Sequence, residues 1–122
     1  MTRTVLVVDD EESLRLLVQI TLARGPYRTV LAKDGEEGLR LAREERPDLV
    51  MLDVGLPGIS GLDVCRQLRA DPATRDVRIV MVSAWAAPEH RAAGLAAGAD
   101  DYLPKPFRPL EFLAYLERLF GG

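Results

Sequence analysis

Five polar side chains in this sequence could carry out chemistry together: Asp9, Asp10, Asp53, Ser83 and Lys105. Three are carboxylates, and carboxylates held close together need a compensating positive charge. Mg²⁺ is the expected ion, because it binds through one or two carboxylates together with water and phosphate oxygens. A hydroxyl and an ammonium group beside that ion would suit a phosphoryl group. Asp53 is the best candidate to accept that group as an aspartyl phosphate.

Each of these side chains stands at or just after the end of a short apolar run. Runs of this length, followed by polar or turn-forming residues, predict buried strands. In a parallel sheet the carboxyl ends of the strands share one edge, so the reactive groups would meet there. Only the run that ends at Ala32 contributes none. The predicted strands are Thr4–Val8, Tyr27–Ala32, Leu49–Asp53, Val77–Val82 and Ala99–Leu103.

Segments that predict helices alternate with these strands. Asp10 is expected to cap the first helix, and Asp34 with Glu37 has the spacing of a capping box. Gly94 should leave the fourth helix short and marginal, and Gly98 should end it. The predicted helices run from Asp10 to about Ala23, from Asp34 to about Arg46, through Leu62, Cys65 and Leu68 to near Asp71, from His90 to Ala97, and from Pro109 to about Phe120.

This alternation predicts an α/β fold in which helices cover both faces of a parallel sheet. The reactive groups converge only if strands one, three, four and five are neighbours. The doubly wound order 2-1-3-4-5 meets that condition. We therefore expect a (βα)5, flavodoxin-like three-layer sandwich, with residues 1–122 as a single domain.

Composition narrows the class of protein. A net charge of −3 argues against nonspecific binding to nucleic acid. The single cysteine, Cys65, excludes an internal disulfide and suits a reducing cytoplasm. The longest apolar runs are far shorter than the roughly 20 residues that span a bilayer. No histidine or cysteine stands near the strand ends, which disfavours zinc.

Two other functions are alternatives to an aspartyl-phosphate switch. A Mg²⁺-dependent phosphatase of the haloacid dehalogenase kind would carry its nucleophile on the first strand and an acid two residues later. Here the candidate is on the third strand, and Gly55 takes the later position. A flavodoxin-like cofactor binder would need a phosphate-binding loop after the first strand, where this chain has the acidic segment 9–12.

Five segments resemble the signatures of the two-component response-regulator receiver domain, and the resemblance extends over the whole chain with the motifs in order. It implies that Asp53 accepts a phosphoryl group from a sensor histidine kinase or a phosphotransfer protein. The segments are Val7–Glu11, Leu52–Gly58, Val82–Ala84, Gly98–Leu103 and Lys105–Phe107.

The same resemblance implies how the acidic residues divide their roles. Asp10 and Asp53 would bind Mg²⁺ directly, together with the backbone carbonyl of Gly55. Asp9 would act through water. Lys105, with the peptide bond after it in cis, would pair with the phosphoryl oxygens.

The resemblance also implies that Ser83 and Tyr102 transmit the phosphorylation of Asp53. The Ser83 hydroxyl would move onto the phosphoryl group, and the Tyr102 ring would swing inward behind Ser83. The face of the fourth helix, fifth strand and fifth helix would then change and control a partner, an output domain or a homodimer. The chemistry would be limited to self-phosphorylation and autodephosphorylation, in the cytoplasm, without membrane or nucleic-acid contact. Ser83 stands where threonine is common, while Gly55 and Trp85 are expected to tune autodephosphorylation.

Two questions stay open at this level. The last helix carries one apolar stripe of Leu110, Leu113, Leu116 and Phe120, and a second of Phe112, Tyr115 and Leu119. These stripes fit either a broad amphipathic helix or a partner surface. The sequence shows no effector domain, so the chain is either a single-domain regulator or a receiver from a longer protein.

Overall fold

The computed structural model describes residues 2–85 and 87–121, in which five strands alternate with five helices. The predicted domain 1–122 also contains Met1, Ala86 and Gly122, which lie outside the described residues. The strands are β1 (Arg3–Val8), β2 (Tyr27–Ala32), β3 (Leu49–Asp53), β4 (Arg78–Ser83) and β5 (Asp101–Pro104). The helices are α1 (Glu12–Leu22), α2 (Gly35–Glu45), α3 (Gly61–Ala70), α4 (Pro88–Ala96) and α5 (Pro109–Leu119).

The strands form one parallel sheet in the order β2-β1-β3-β4-β5, which confirms the predicted topology. Alternate residues of each central strand face opposite sides of the sheet, and both sides are buried. On one side Leu6 and Leu52 pack with α2, α3 and α4. On the other, Val7 and Met51 pack with α1 and α5. The result is the expected three-layer sandwich.

Two expected caps have different outcomes. Asp34 caps α2 as predicted, since its side chain accepts the Glu37 N–H at 2.9 Å. The cap assigned to Asp10 is wrong: α1 has Glu11 at its N-cap position, with no side-chain cap hydrogen bond. The buried Asp9 carboxylate instead accepts the Glu11 N–H at 2.8 Å, two residues on, as in an Asx-turn. The Asp10 carboxylate lies with Asp9 and Asp53 instead.

Helix α4 has nine residues, as short as its composition predicts, and Gly98 follows it with φ of 114°. Gly94 has a further role that its weak helix propensity did not reveal. A Cβ atom at this position would lie 3.0 Å from the ring of Tyr102. The missing side chain therefore gives that ring room to pack inward beneath α4.

In α5, Phe112 and Leu116 are fully buried against the sheet, while Leu110 is 58% exposed. Tyr115 stacks on Phe112 with ring centroids 6.2 Å apart. The suggestion that Phe112 belongs to a partner surface is therefore wrong, because this side chain belongs to the core. Cys65 is buried as expected. Among the described residues, no helix has the length and apolar content needed to cross a bilayer.

Candidate functional site

The carboxyl ends of the strands border a small open cavity of about 240 Å³. The parallel register sets its walls, because Asp53 pairs with Val82 and the next residue of β4, Ser83, pairs with Pro104 just before Lys105. The sheet thus joins three segments that are far apart in the chain. The cavity is lined by Asp10, Glu11, Asp53, Gly55, Ser83, Ala84, Trp85 and Lys105.

Asp9, Asp10 and Asp53 form an acidic cluster, with one carboxylate oxygen from each within 4.8 Å of the others. Asp9 and Asp53 are buried, whereas Asp10 is exposed. All the donors are oxygens, which are the ligands of hard divalent cations, and no histidine or cysteine of the described part of the chain joins this group. This cluster could therefore bind a metal ion.

The ammonium group of Lys105 lies between the buried acids. Its Nζ donates to Asp9 Oδ2 at 2.9 Å and to Asp53 Oδ2 at 3.2 Å, and it lies 3.7 Å from Glu11 Oε1. Burial alone would lower the pKa of Lys105, but the hydrogen bond and charge of Asp9, together with Asp53, outweigh it and raise the pKa. The group stays charged and offsets part of the acidic cluster. The Lys105–Pro106 peptide bond is cis, as the resemblance implied.

Asp9 is 1% exposed, and protein groups engage all of its polar atoms. Its backbone N–H donates to Ala32 O, and its carboxylate accepts from Glu11 N and from Lys105. Its backbone carbonyl accepts from Arg15 Nη1 at 2.7 Å. Among the described residues, no protein group makes a hydrogen bond or ion pair with the Asp10 carboxylate. The carboxylate of Asp10 is therefore available to bind a metal ion or ligand, whereas that of Asp9 is already engaged.

The turn that follows Asp53 holds its carboxylate in place. Its Oδ1 accepts the Gly55 N–H at 3.0 Å. The start of α3 packs so closely on this strand end that a Cβ at Gly61 would overlap the Asp53 carbonyl oxygen. Gly61 is thus a residue of the site that the sequence analysis did not identify. A glycine that opens a helix close after a candidate strand-end acid is the signal that could have identified it.

Ser83 and Tyr102 meet the same residue, Trp85. The Ser83 Oγ accepts the Trp85 N–H at 2.9 Å, and the Tyr102 hydroxyl donates to the Trp85 carbonyl at 2.7 Å. Tyr102 is 3% exposed and does not line the cavity. The Trp85 side chain is 52% exposed at the cavity wall, with its ring 5.5 Å from that of His90. Two hydrogen bonds to the backbone of Trp85 therefore connect Ser83 at the cavity with Tyr102, whose ring packs beneath Gly94 of α4.

Sequence reasoning identified the groups that end the strands, and the structure brings all of them together. It missed Glu11 and Arg15. Glu11 directly follows the acidic pair, and nothing in that pattern marks it as a neighbour of Lys105. Arg15 reaches back from α1, and in the sequence it is one arginine among many.

The family model "Response regulator receiver domain" matches residues 5–117. The DNA-binding response regulator MtrA of Mycobacterium tuberculosis is 46% identical over 114 residues, which cover 93% of this chain and 49% of that protein. The chain spans about half the length of the curated relatives it matches.

Solved structures with the same fold include two informative ones. The chemotaxis response regulator CheY4 of Vibrio cholerae superposes with a TM-score of 0.91 at 34% identity, covering 98% of this chain and 99% of that one. The receiver domain of sensor histidine kinase PA1611 from Pseudomonas aeruginosa covers 100% of both chains, with a TM-score of 0.88 and 32% identity. That structure has a magnesium ion coordinated in its active site cleft.

Proposed function

Because this chain belongs to the response regulator receiver domain family of two-component phosphorelays, we propose that residues 1–122 form one receiver domain whose phosphoacceptor is Asp53. One arrangement supports this function above all: Lys105 Nζ lies 3.2 Å from Asp53 Oδ2, at the edge of a cluster of three acids. The phosphoryl donor is a sensor histidine kinase or a phosphotransfer protein. In the transfer, the bond from phosphorus to the donor's imidazole nitrogen breaks and a bond to an Asp53 carboxylate oxygen forms.

Mg²⁺ fits the donor set of this site. Asp10 and Asp53 would hold the ion directly with the Gly55 carbonyl, and the engaged Asp9 would act through water. The free carboxylate of Asp10 and the fully engaged Asp9 support this division. The magnesium ion in the cleft of the PA1611 receiver supports the choice of metal. When bound, Mg²⁺ neutralises phosphoryl oxygens so that two anions can approach each other.

Lys105 and Ser83 recognise the product. The Lys105 ammonium already reaches Asp53 Oδ2, so it can pair with a phosphoryl oxygen on that residue. The Ser83 hydroxyl can donate to another oxygen while still accepting from Trp85. A dianionic group in this small cavity thereby gives Ser83 a new partner, which biases the loop between β4 and α4.

Tyr102 carries that bias to the surface of α4, β5 and α5, through its bond to Trp85. This surface includes Leu95, which is 40% exposed, and Arg91, which lies 3.9 Å from Asp101. We assign it to contact with an output domain, a partner or a second copy of the chain. These residues, with their net charge of −3, do not themselves contact nucleic acid.

The reaction is limited to self-phosphorylation from a donor and autodephosphorylation. Gly55 brings no side chain to the cavity, and Trp85 stands at its wall. These two residues set the rate at which water reaches the phosphoryl group. We place the protein in the cytoplasm, where the free thiol of Cys65 would stay reduced.

Removal of the metal tests this function. We expect incubation with acetyl phosphate and MgCl₂ to add one phosphoryl group per chain, as measured by intact-protein mass spectrometry. Chelation by EDTA should abolish the addition, because the acidic cluster would otherwise repel the anionic donor. Equal labelling with and without EDTA would contradict the metal assignment, and an unlabelled protein under all conditions would contradict the function.

Docking of the phosphodonor protein can be tested apart from the chemistry. Helix α1 starts beside the cavity and exposes Leu16, Leu17 and Ile20, the last at 67%. We expect Ile20→Ser to slow transfer from a histidine kinase that phosphorylates the wild type by about tenfold, the loss expected when one apolar contact leaves an interface. Labelling by acetyl phosphate, measured by the same mass shift, should not change.

Leu95→Ser is the matched control for Ile20→Ser, since it removes an exposed apolar side chain from a different helix, α4. It should leave both reactions unchanged but weaken any dimer formed with beryllofluoride, as measured by analytical ultracentrifugation. If Ile20→Ser slowed both donors equally, docking through α1 would be wrong.

A further inference from the structure

Arg15 lies in α1 and contacts the turn that carries two acids of the cluster, Asp9 and Asp10. Its Nη1 donates to the backbone carbonyl of Asp9 at 2.7 Å. Its backbone N–H donates to the Glu11 carbonyl at 3.1 Å. The backbone bond is the ordinary one at the start of a helix, whereas the side chain of Arg15 ties the first helical turn to Asp9, just after the end of β1.

The Asp9 carbonyl depends on this contact. Pairing between β1 and β3 ends at Val8, so Asp9 has passed the last ladder position between these strands. Asp9 is 1% exposed, and a buried carbonyl that loses its donor makes its segment move until another is found. Any such movement would shift Asp9 and Asp10 relative to Asp53, which β3 holds separately.

We propose that Arg15 is a positioning residue for the Mg²⁺ site, which holds the turn so that the Asp10 carboxylate stays within reach of the ion bound at Asp53. This inference rests on the proposed function, because it assumes that the acidic cluster binds Mg²⁺. Partners of this kind, which orient a ligand without touching the metal, change metal affinity by roughly 10-fold to 100-fold when they are removed.

The sign of the effect separates positioning from charge. Removing a cation near the site would by itself strengthen the binding of Mg²⁺. Loss of the hydrogen bond to Asp9 would weaken it. Weaker binding in a variant that has lost a positive charge can therefore come only from the change in geometry.

The test is a titration of the full chain with MgCl₂, in which binding is monitored by the fluorescence of Trp85. This residue is the single tryptophan, and it lines the cavity. The variants are Arg15→Met, Arg15→Gln and Arg15→Lys, all of which keep residues that favour a helix. Arg24→Met is the matched control, since it removes the same charge just past the other end of α1. A thermal melt of each variant confirms that it is folded at the temperature of the titration.

We expect the dissociation constant for Mg²⁺ to rise about tenfold in Arg15→Met and Arg15→Gln. Arg15→Lys, which keeps a donor and the charge, should restore part of the affinity, and Arg24→Met should match the wild type. If the Gln or Met variant binds Mg²⁺ as tightly as the wild type, or more tightly, the role given to Arg15 is wrong. The proposed function would not be affected by that result. A wild type that does not bind Mg²⁺ would overturn the proposed function as well.

Discussion

Asp53→Asn will abolish phosphorylation by acetyl phosphate in the presence of Mg²⁺. The amide cannot act as the oxygen nucleophile that forms an acyl phosphate, and it removes one charge from the acidic cluster that attracts the cation. We expect no mass shift in this variant where the wild type gains one phosphoryl group.

Asp63→Asn provides the control for Asp53→Asn. Asp63 is an exposed acid in α3 that pairs with Arg66 at 2.8 Å, away from the cavity lining. It should be labelled like the wild type, which separates loss of the acceptor from a general loss of negative charge. Labelling of Asp53→Asn to the wild-type level would refute the assignment of the phosphoacceptor. The tryptic peptide that carries the group would then identify the true acceptor.

Lys105→Ala is expected to leave Asp53 open to modification but to eliminate the conformational response. The ammonium group is the only cationic group within 4.0 Å of Asp53 among the described residues, so its removal takes away the main contact that a phosphoryl group would gain. We expect beryllofluoride with Mg²⁺ to change Trp85 fluorescence in the wild type and not in the variant. A full fluorescence response in Lys105→Ala would refute the role given to this residue.

The same variant should also be less stable, because Asp9 would keep a buried carboxylate without its cation. Breaking a buried ion pair from one side costs about 3 kcal/mol, and urea unfolding without Mg²⁺ would measure it. Added Mg²⁺ should recover part of this loss, since the ion brings positive charge back to the cluster. Lys33→Ala is the control: Lys33 is exposed, and its ammonium makes no ion pair among the described residues. It should unfold like the wild type.

The sequence alone determined the layered fold and the set of strand-end residues. Both depend on local patterns: apolar runs such as Leu49–Asp53 form buried strands wherever they stand, and alternation with helices permits only a parallel sheet. The cap at Asp34 is equally local, since its partner Glu37 is three residues away. Such features need no knowledge of the rest of the molecule.

The tertiary structure alone decided which partners those residues meet. The sequence shows Asp9 and Asp10 as neighbouring acids after a strand, but of the two only Asp9 meets the distant Lys105 and the carbonyl of Ala32. Phe112 is a core residue because the sheet covers its side of α5. Gly94 leaves space for the ring of Tyr102 because β5 places that ring beneath it. In each case the outcome depends on competition for partners across many residues of chain, and a sequence pattern carries no distances with which to settle that competition.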